Sequence, residues 1–330
     1  MNLTKPGLLA AAAALMLGIA GNAAASKPRV FAVADAPVLE DRFPVQPVIF
    51  PKGVKAYRDV VYQQLPGYIP QVVDIYVPAT KGPHPLVLYI HGGGWIGGHT
   101  RHSGALANFP GVLAQLASEG FTVVSLEYRL SSEAKFPAQL QDSKAALRFL
   151  GDHAALYKID TKRVGIWGGS AGGHLTALTA LTCGNTALDP NAAKDICATA
   201  AVTWYGVFDF GALVASRPGG ADDAAVRLMG CNGACTPEQL AVASPVTYID
   251  PKDPPFLLIH GDEDKVVPVA QSHLAEARLR AAGVPVEAIY IPGVDHSFIG
   301  HTPAETRDAT NRATNATFDF FHAKLGVPWK

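Results

Sequence analysis

The chain has 330 residues, 48% of them hydrophobic and 17% charged, with a formal net charge of −1. That is enough apolar chain for one large α/β domain or two smaller ones. The near-neutral balance excludes the basic patch of a nucleic-acid binder and the acidic tail of a cation buffer, and no repeat at a solenoid period is visible.

Residues 1–25 stand apart. Lys5 precedes an apolar run over 8–20, and Ala23-Ala24-Ala25 forms a small-x-small cleavage site. This is the pattern of a signal peptide, so a periplasmic or secreted mature protein is expected; the run is short for a bilayer span. Export bears on Cys183, Cys197, Cys231 and Cys235. An even cysteine count in an exported chain favours disulfides, and proximity suggests 183–197 and 231–235 among three possible pairings. Zinc is the weaker alternative, because Cys-x3-Cys with a distant second pair and no nearby histidine is a poor ligand set.

Residues 26–55, rich in Pro and Val, read as an extended arm, and the remainder as one domain over 56–330. Strands are expected at 57–62 and 72–77, separated by Leu65-Pro66-Gly67. The run 86–90 is apolar at every position, as in a strand buried on both faces. His91-Gly92-Gly93-Gly94-Trp95 follows it directly. Consecutive glycines let backbone N–H groups face a ligand unobstructed, which matches an oxyanion loop of HGGG type. A dinucleotide-binding loop would need Gly-x-Gly-x-x-Gly before a helix, and that order is missing.

From there helices and strands alternate. A helix over 105–119 ends at Gly120, a strand covers 121–126, and a helix over 137–150 has Pro137 in its first turn. The β-prone 163–167 leads into Gly168-Gly169-Ser170-Ala171-Gly172, followed by a helix-forming run. Strand, tight turn and helix around Gly-x-Ser-x-Gly is the setting of a nucleophile elbow, with the helix N-terminus aimed at Ser170 and the N–H of Ala171 as an oxyanion donor. Strands at 199–205, 256–260 and 286–291, and helices at 269–282 and 306–325, complete the pattern. The alternation predicts a mainly parallel sheet of about eight strands, the first two antiparallel, with helices on both faces. Residues 206–255 break the rhythm and read as a lid-like insertion beside the site.

A serine hydroxyl needs a base. Of eleven histidines, His273 and His322 fall inside helices, whereas His296 lies in a loop straight after the last strand, where ligands meet such a sheet; His301 is next in line. The base needs a carboxylate, and Asp262, Glu263 and Asp264 crowd another strand end, where spacing alone does not choose among them.

These signals occur in one chain order, and the chain resembles the α/β-hydrolase esterases, near the hormone-sensitive-lipase-like carboxylesterases and the bacterial feruloyl- and acetylxylan-esterase-like enzymes. The matching stretches are 91–98, Glu127-Tyr128-Arg129-Leu130, 136–142, 164–174, Ser244-Pro245, 255–268 and 293–298. The resemblance implies an α/β-hydrolase fold, with Ser170 as nucleophile, His296 as base and the fifth residue of His-Gly-x-x-Asp, Asp264, as acid. It makes Gly93, Gly94 and Ala171 the oxyanion donors. Asp-Pro-Leu, usual at the acid of the lipase-like branch, is replaced here by His-Gly-Asp-Glu-Asp, which places the chain nearer the feruloyl-esterase-like and peptidase-like branches.

The function expected is a secreted serine carboxylic ester hydrolase for short-chain or aromatic esters, with no cofactor or metal. Trp95 is expected either to line the acyl pocket or to pack in the core. The substrate is a small-molecule or polysaccharide-linked ester; neither nucleic acid nor stable membrane insertion is expected. An aminopeptidase-like serine hydrolase could use the same residues, although the sequence carries no large extra domain like that of prolyl-oligopeptidase-like peptidases. A catalytically silent binding protein of this fold is the third reading, separated from the others by assay on a short p-nitrophenyl ester.

Overall fold

The structure, a computed structural model, describes residues 47–217 and 223–329. The expected signal peptide and most of the expected arm lie outside the described residues. The central feature is a nine-stranded sheet in the order β1-β2-β3-β5-β4-β6-β7-β8-β9. Its strands are β1 (Val48–Ile49), β2 (Lys55–Gln63), β3 (Gln71–Val77), β4 (His84–Ile90), β5 (Thr122–Leu126), β6 (Ile159–Gly169), β7 (Ala200–Trp204), β8 (Phe256–Gly261) and β9 (Val286–Ile291). From β5 to β9 neighbouring strands run parallel, while β1, β2, β3 and β5 pair antiparallel. The count exceeds the expected eight because the two-residue β1 pairs with the start of β2, too short a strand to carry a period of its own.

Strand periodicity sorts the core into two layers. Leu86, Leu88 and Ile90 of β4 face one side of the sheet, with Leu147 and Leu150 of α2 (Ala138–Asp152), Leu175 of α3 (Ala171–Leu181) and Leu279 of α7 (Ala270–Ala281). Val87 and Tyr89 face the other, with Leu113 of α1 (Phe109–Ser118) and Phe321 of α8 (Pro303–Lys324). Helices on both faces of a mostly parallel sheet, joined in this order, define an α/β-hydrolase fold.

Helix starts differ from the expected ones where a cap decides. α1 begins at Phe109, not 105, because the Asn108 side chain accepts from the N–H of Gly111. α8 begins three residues earlier than expected, at Pro303, behind a capping box of Thr302 and Glu305. Among the described residues, the segment between β7 and β8 holds three short α-helices, α4 (Phe210–Ala215), α5 (Ala224–Met229) and α6 (Pro237–Val242). Both disulfides, Cys183–Cys197 and Cys231–Cys235, join the pairs expected from proximity. No helix among the described residues is long and apolar enough to cross a membrane.

Candidate active site

Ser170 sits where β6 turns into α3, with φ 57° and ψ −123°, a conformation that L residues rarely adopt. The turn is held from both sides. The Ser170 N–H donates to the Trp204 carbonyl at the end of β7. Gly172 lets α3 approach β4: a Cβ there would lie 2.0 Å from the Ile90 carbonyl oxygen. The elbow glycine at this position therefore answers to close backbone approach, since its own φ is not positive. His174 is the first residue of α3 whose N–H is bonded back, to the Ser170 carbonyl, so the N–H of Ala171 at the helix start has no intrahelical acceptor.

The loop after β4 closes as a tight turn in which Ile96 and Gly97 both donate to the Gly93 carbonyl. Gly93 has φ +111°, and a Cβ there would lie 2.1 Å from the Gly97 carbonyl oxygen, so only glycine fits. Trp95 borders the cavity, yet its ring is 3% exposed and packs edge-on to His174 and against Phe210. Of its two expected roles, core packing accounts for most of its surface.

His296 follows β9 in a short turn. Its N–H donates to the Asp295 carboxylate, and Phe298, fully buried against Trp204 and Tyr205, anchors the turn. Nδ1 of His296 lies 2.7 Å from Oδ2 of Asp264 and Nε2 lies 3.0 Å from Oγ of Ser170. A carboxylate only accepts, so Nδ1 carries the hydrogen and the lone pair of Nε2 faces the serine hydroxyl. Tyr205, with φ 38°, packs its ring 4.6 Å from that of His296.

Asp264 is buried, and its Oδ1 accepts from the N–H groups of Val266 and Val267. Burial pushes its carboxyl up, but hydrogen bonds from His260 and His296, the His296 charge and the Val267 N–H outweigh this and hold it well below the usual carboxylate range. The other acids at this strand end do different things. Asp262 accepts from the Gly293 N–H as a turn cap, and Glu263 pairs at the surface with His301. His301 is thereby placed away from Ser170, and His273 and His322 lie in α7 and α8.

Ser170, His296, Gly93, Gly94 and Trp95 all border one cavity of about 730 Å³; Val207 and Ala224, from the segment between β7 and β8, close one wall. Two buried histidines that sequence reasoning passed over support this site: His174, bonded to Trp95, and His260, beside Asp264. Their signal was position alone, four residues after Ser170 and four before Asp264.

The site and fold define the class, an α/β-hydrolase with a Ser–His–Asp constellation beneath a glycine-rich loop. Residues 73–279, more than half of the chain, match the BD-FAE family, and the chain belongs to that family. It is similar to Esterase LipQ of Mycobacterium tuberculosis, 30% identical over 71% of this chain and 55% of that protein. It is also similar to Esterase LipC of the same organism, 30% identical over 73% of this chain and 59% of that one. The chain thus spans less than two thirds of the length of these curated relatives. Among solved structures, a truncated form of carbohydrate esterase from gut microbiota superposes with a TM-score of 0.69 at 29% identity, over 82% of this chain and 96% of that one.

Proposed function

We propose that the chain is an exported serine carboxylic ester hydrolase, working through an acyl-enzyme on short-chain or aromatic esters, including those carried by carbohydrate. The observation that carries this is the continuous hydrogen-bonded series Ser170–His296–Asp264, opening on a cavity walled by Gly92-Gly93-Gly94. Oγ of Ser170 attacks the ester carbonyl carbon while its proton passes to Nε2 of His296. Asp264 stays ionised and stabilises the imidazolium. The carbonyl oxygen becomes an anion facing the N–H groups of Gly93, Gly94 and Ala171, each such donor worth roughly 3 kcal/mol in sites of this kind. His296 then gives its proton to the departing alkoxide, and the acyl group remains on Ser170. Water, deprotonated by His296, attacks the acyl carbon; the proton returns to Ser170 and the carboxylic acid leaves.

The carbohydrate esterase among its structural relatives and the esterases among its curated ones support the substrate class. The signal-peptide pattern in 1–25 and the two disulfides support export. The walls contributed by Val207 and Ala224 support reading 206–255 as a cap on the site.

The test is a panel of p-nitrophenyl esters with short and aromatic acyl groups. Wild type is expected to turn them over. Phenylmethylsulfonyl fluoride is expected to inactivate the enzyme and to label the peptide containing Ser170. Near-wild-type activity in Ser170→Ala would refute the mechanism, and turnover of aminoacyl anilides without ester hydrolysis would select the peptidase reading.

A further inference from the structure

A second imidazole lies behind Asp264. His260, in β8, is fully buried. Its Nε2 lies 2.9 Å from the Val267 carbonyl oxygen and 3.2 Å from Oδ2 of Asp264. Both neighbours only accept, so Nε2 carries a hydrogen; it donates to the Val267 carbonyl, and Oδ2 of Asp264 lies beside that hydrogen at the longer distance. Its Nδ1 lies 2.7 Å from Oγ of Ser272, in the first turn of α7. In the neutral ring that nitrogen accepts, so the Ser272 hydroxyl donates into it. Tyr205, also titratable, faces His260 with its ring 6.5 Å away.

Oδ2 of Asp264 is also the atom to which His296 donates, at 2.7 Å. One carboxylate oxygen therefore accepts from His296 and lies against the N–H of a second imidazole, His260, while the other takes the backbone N–H groups of Val266 and Val267. Three hydrogen bonds and the His260 N–H beside Oδ2 leave the carboxylate one orientation. They also divide the charge of Oδ2 between a ring that moves protons and a ring that does not.

We propose that His260 is a positioning residue of the esterase site: its Nε2–H, set against the Asp264 oxygen that holds His296, fixes the direction and the charge of that oxygen, and Ser272, bonded to Nδ1, holds the ring in place. This rests on the reading above that Asp264 orients His296. His260 touches neither substrate nor the reacting atoms and acts only through Asp264.

The chemistry sets the direction of each effect. Without the His260 hydrogen, Oδ2 serves His296 alone and stabilises its imidazolium more, so the acid limb of kcat/KM moves to higher pH. The carboxylate also loses its fixed orientation, and misplacement of this order costs about 10-fold to 100-fold in rate. KM stays near the wild-type value, because the His260 side chain does not itself border the cavity.

The experiment compares His260→Leu, His260→Gln and Ser272→Ala with wild type in steady-state kinetics from acid to neutral pH, with active sites counted by fluorophosphonate titration at Ser170. His260→Leu is expected to lose kcat at constant KM with the acid limb displaced upward. His260→Gln, whose amide N–H reaches the place of Nε2, is expected to recover most of both. Ser272→Ala leaves Nδ1 of His260 without its partner, lets the ring turn away from Asp264 and is expected to lower kcat about 3-fold to 10-fold. Wild-type kcat and an unmoved limb in His260→Leu would overturn the proposal. Should that variant not fold, wild-type kcat in Ser272→Ala overturns it instead. Asp264→Asn, run alongside, separates the two levels: full activity there refutes the reading of the acid, whereas its inactivity beside unchanged His260 variants refutes this inference alone.

Discussion

Trp95 and His174 are joined by a hydrogen bond that ties the oxyanion loop to the nucleophile helix: the indole N–H donates to Nδ1 of His174 at 3.2 Å, with both rings buried. The other nitrogen of His174 lies 2.7 Å from the Ala243 carbonyl and donates to it, so a single neutral tautomer satisfies both contacts. One side chain thereby fastens the loop after β4, the helix after β6 and the end of α6.

Trp95→Phe keeps an aromatic ring but removes the donor and leaves Nδ1 of His174 unsatisfied. A buried acceptor left without its partner costs about 1–3 kcal/mol, so the melting temperature is expected to fall. Because Gly93 and Gly94 precede Trp95 directly, kcat is expected to drop about 10-fold while KM changes little. Unchanged kcat with a lowered melting temperature would mean that the oxyanion loop holds its shape without this bond.

His174 and His91 also make stability depend on pH. Burial lowers each to about 4 from the ordinary 6.5, against the opposing pull of hydrogen bonds to the Ala243 and Gly92 carbonyls. The unfolded chain binds protons at these rings below pH 6.5 and the folded chain does not until about pH 4. Stability is therefore expected to fall as pH falls through that window, by on the order of 3 kcal/mol for each ring. Asp264, held below the ordinary carboxylate range, adds its own loss at still lower pH. Urea denaturation at a series of pH values measures this; a midpoint constant between pH 6.5 and 4 would contradict it, and His174→Gln is expected to flatten the slope.

The parts of the molecule that were legible in the sequence are those written locally. Gly168 to Gly172 announce a sharp turn because backbone must approach backbone there, and the strand ends before Gly92, Asp262 and Gly293 mark where side chains meet a ligand. His260 and His174 were not legible. Each is one residue in an apolar run, and its partners, Ser272 and Trp95, are fixed only when separate elements pack. The ninth strand was hidden because two residues carry no period, and the start of α1 because Asn108, not the hydrophobic pattern, sets it.

The disulfides invite a separate test. Cys183 and Cys197 bracket a segment whose Asp189 and Asp195 pair with Arg148, and Asp195 also with the buried Lys144. None of these residues borders the cavity. Alkylation under denaturing, non-reducing conditions is expected to find no free thiol at either cysteine pair. Replacing Cys183 and Cys197 by serine is expected to lower stability by about 3 kcal/mol with kcat unchanged, and replacing Cys231 and Cys235 by about 1 kcal/mol less, because the loop closed is shorter. A mapped Cys183–Cys231 peptide would overturn the pairing.

Asp264 and Asp262 stand two residues apart and are expected to respond oppositely to the same change. In Asp264→Asn the amide can present its NH2 to Nδ1 of His296, which drives the ring hydrogen to Nε2 and removes the lone pair that faces Ser170. Loss of the correct tautomer lowers kcat by about 10⁴-fold in triads of this kind. Stability is expected to fall as well, because the amide nitrogen would stand beside the Nε2–H of His260, donor against donor. Asp262 accepts only from the Gly293 N–H at an exposed turn. Asn keeps an acceptor oxygen in that place, so Asp262→Asn is expected to leave kcat within about twofold and to cost less than about 1 kcal/mol. The pair is measured by steady-state kinetics and urea denaturation of both variants at one pH. Equal kcat losses would remove the assignment of the acid, and a loss confined to Asp262→Asn would reverse it.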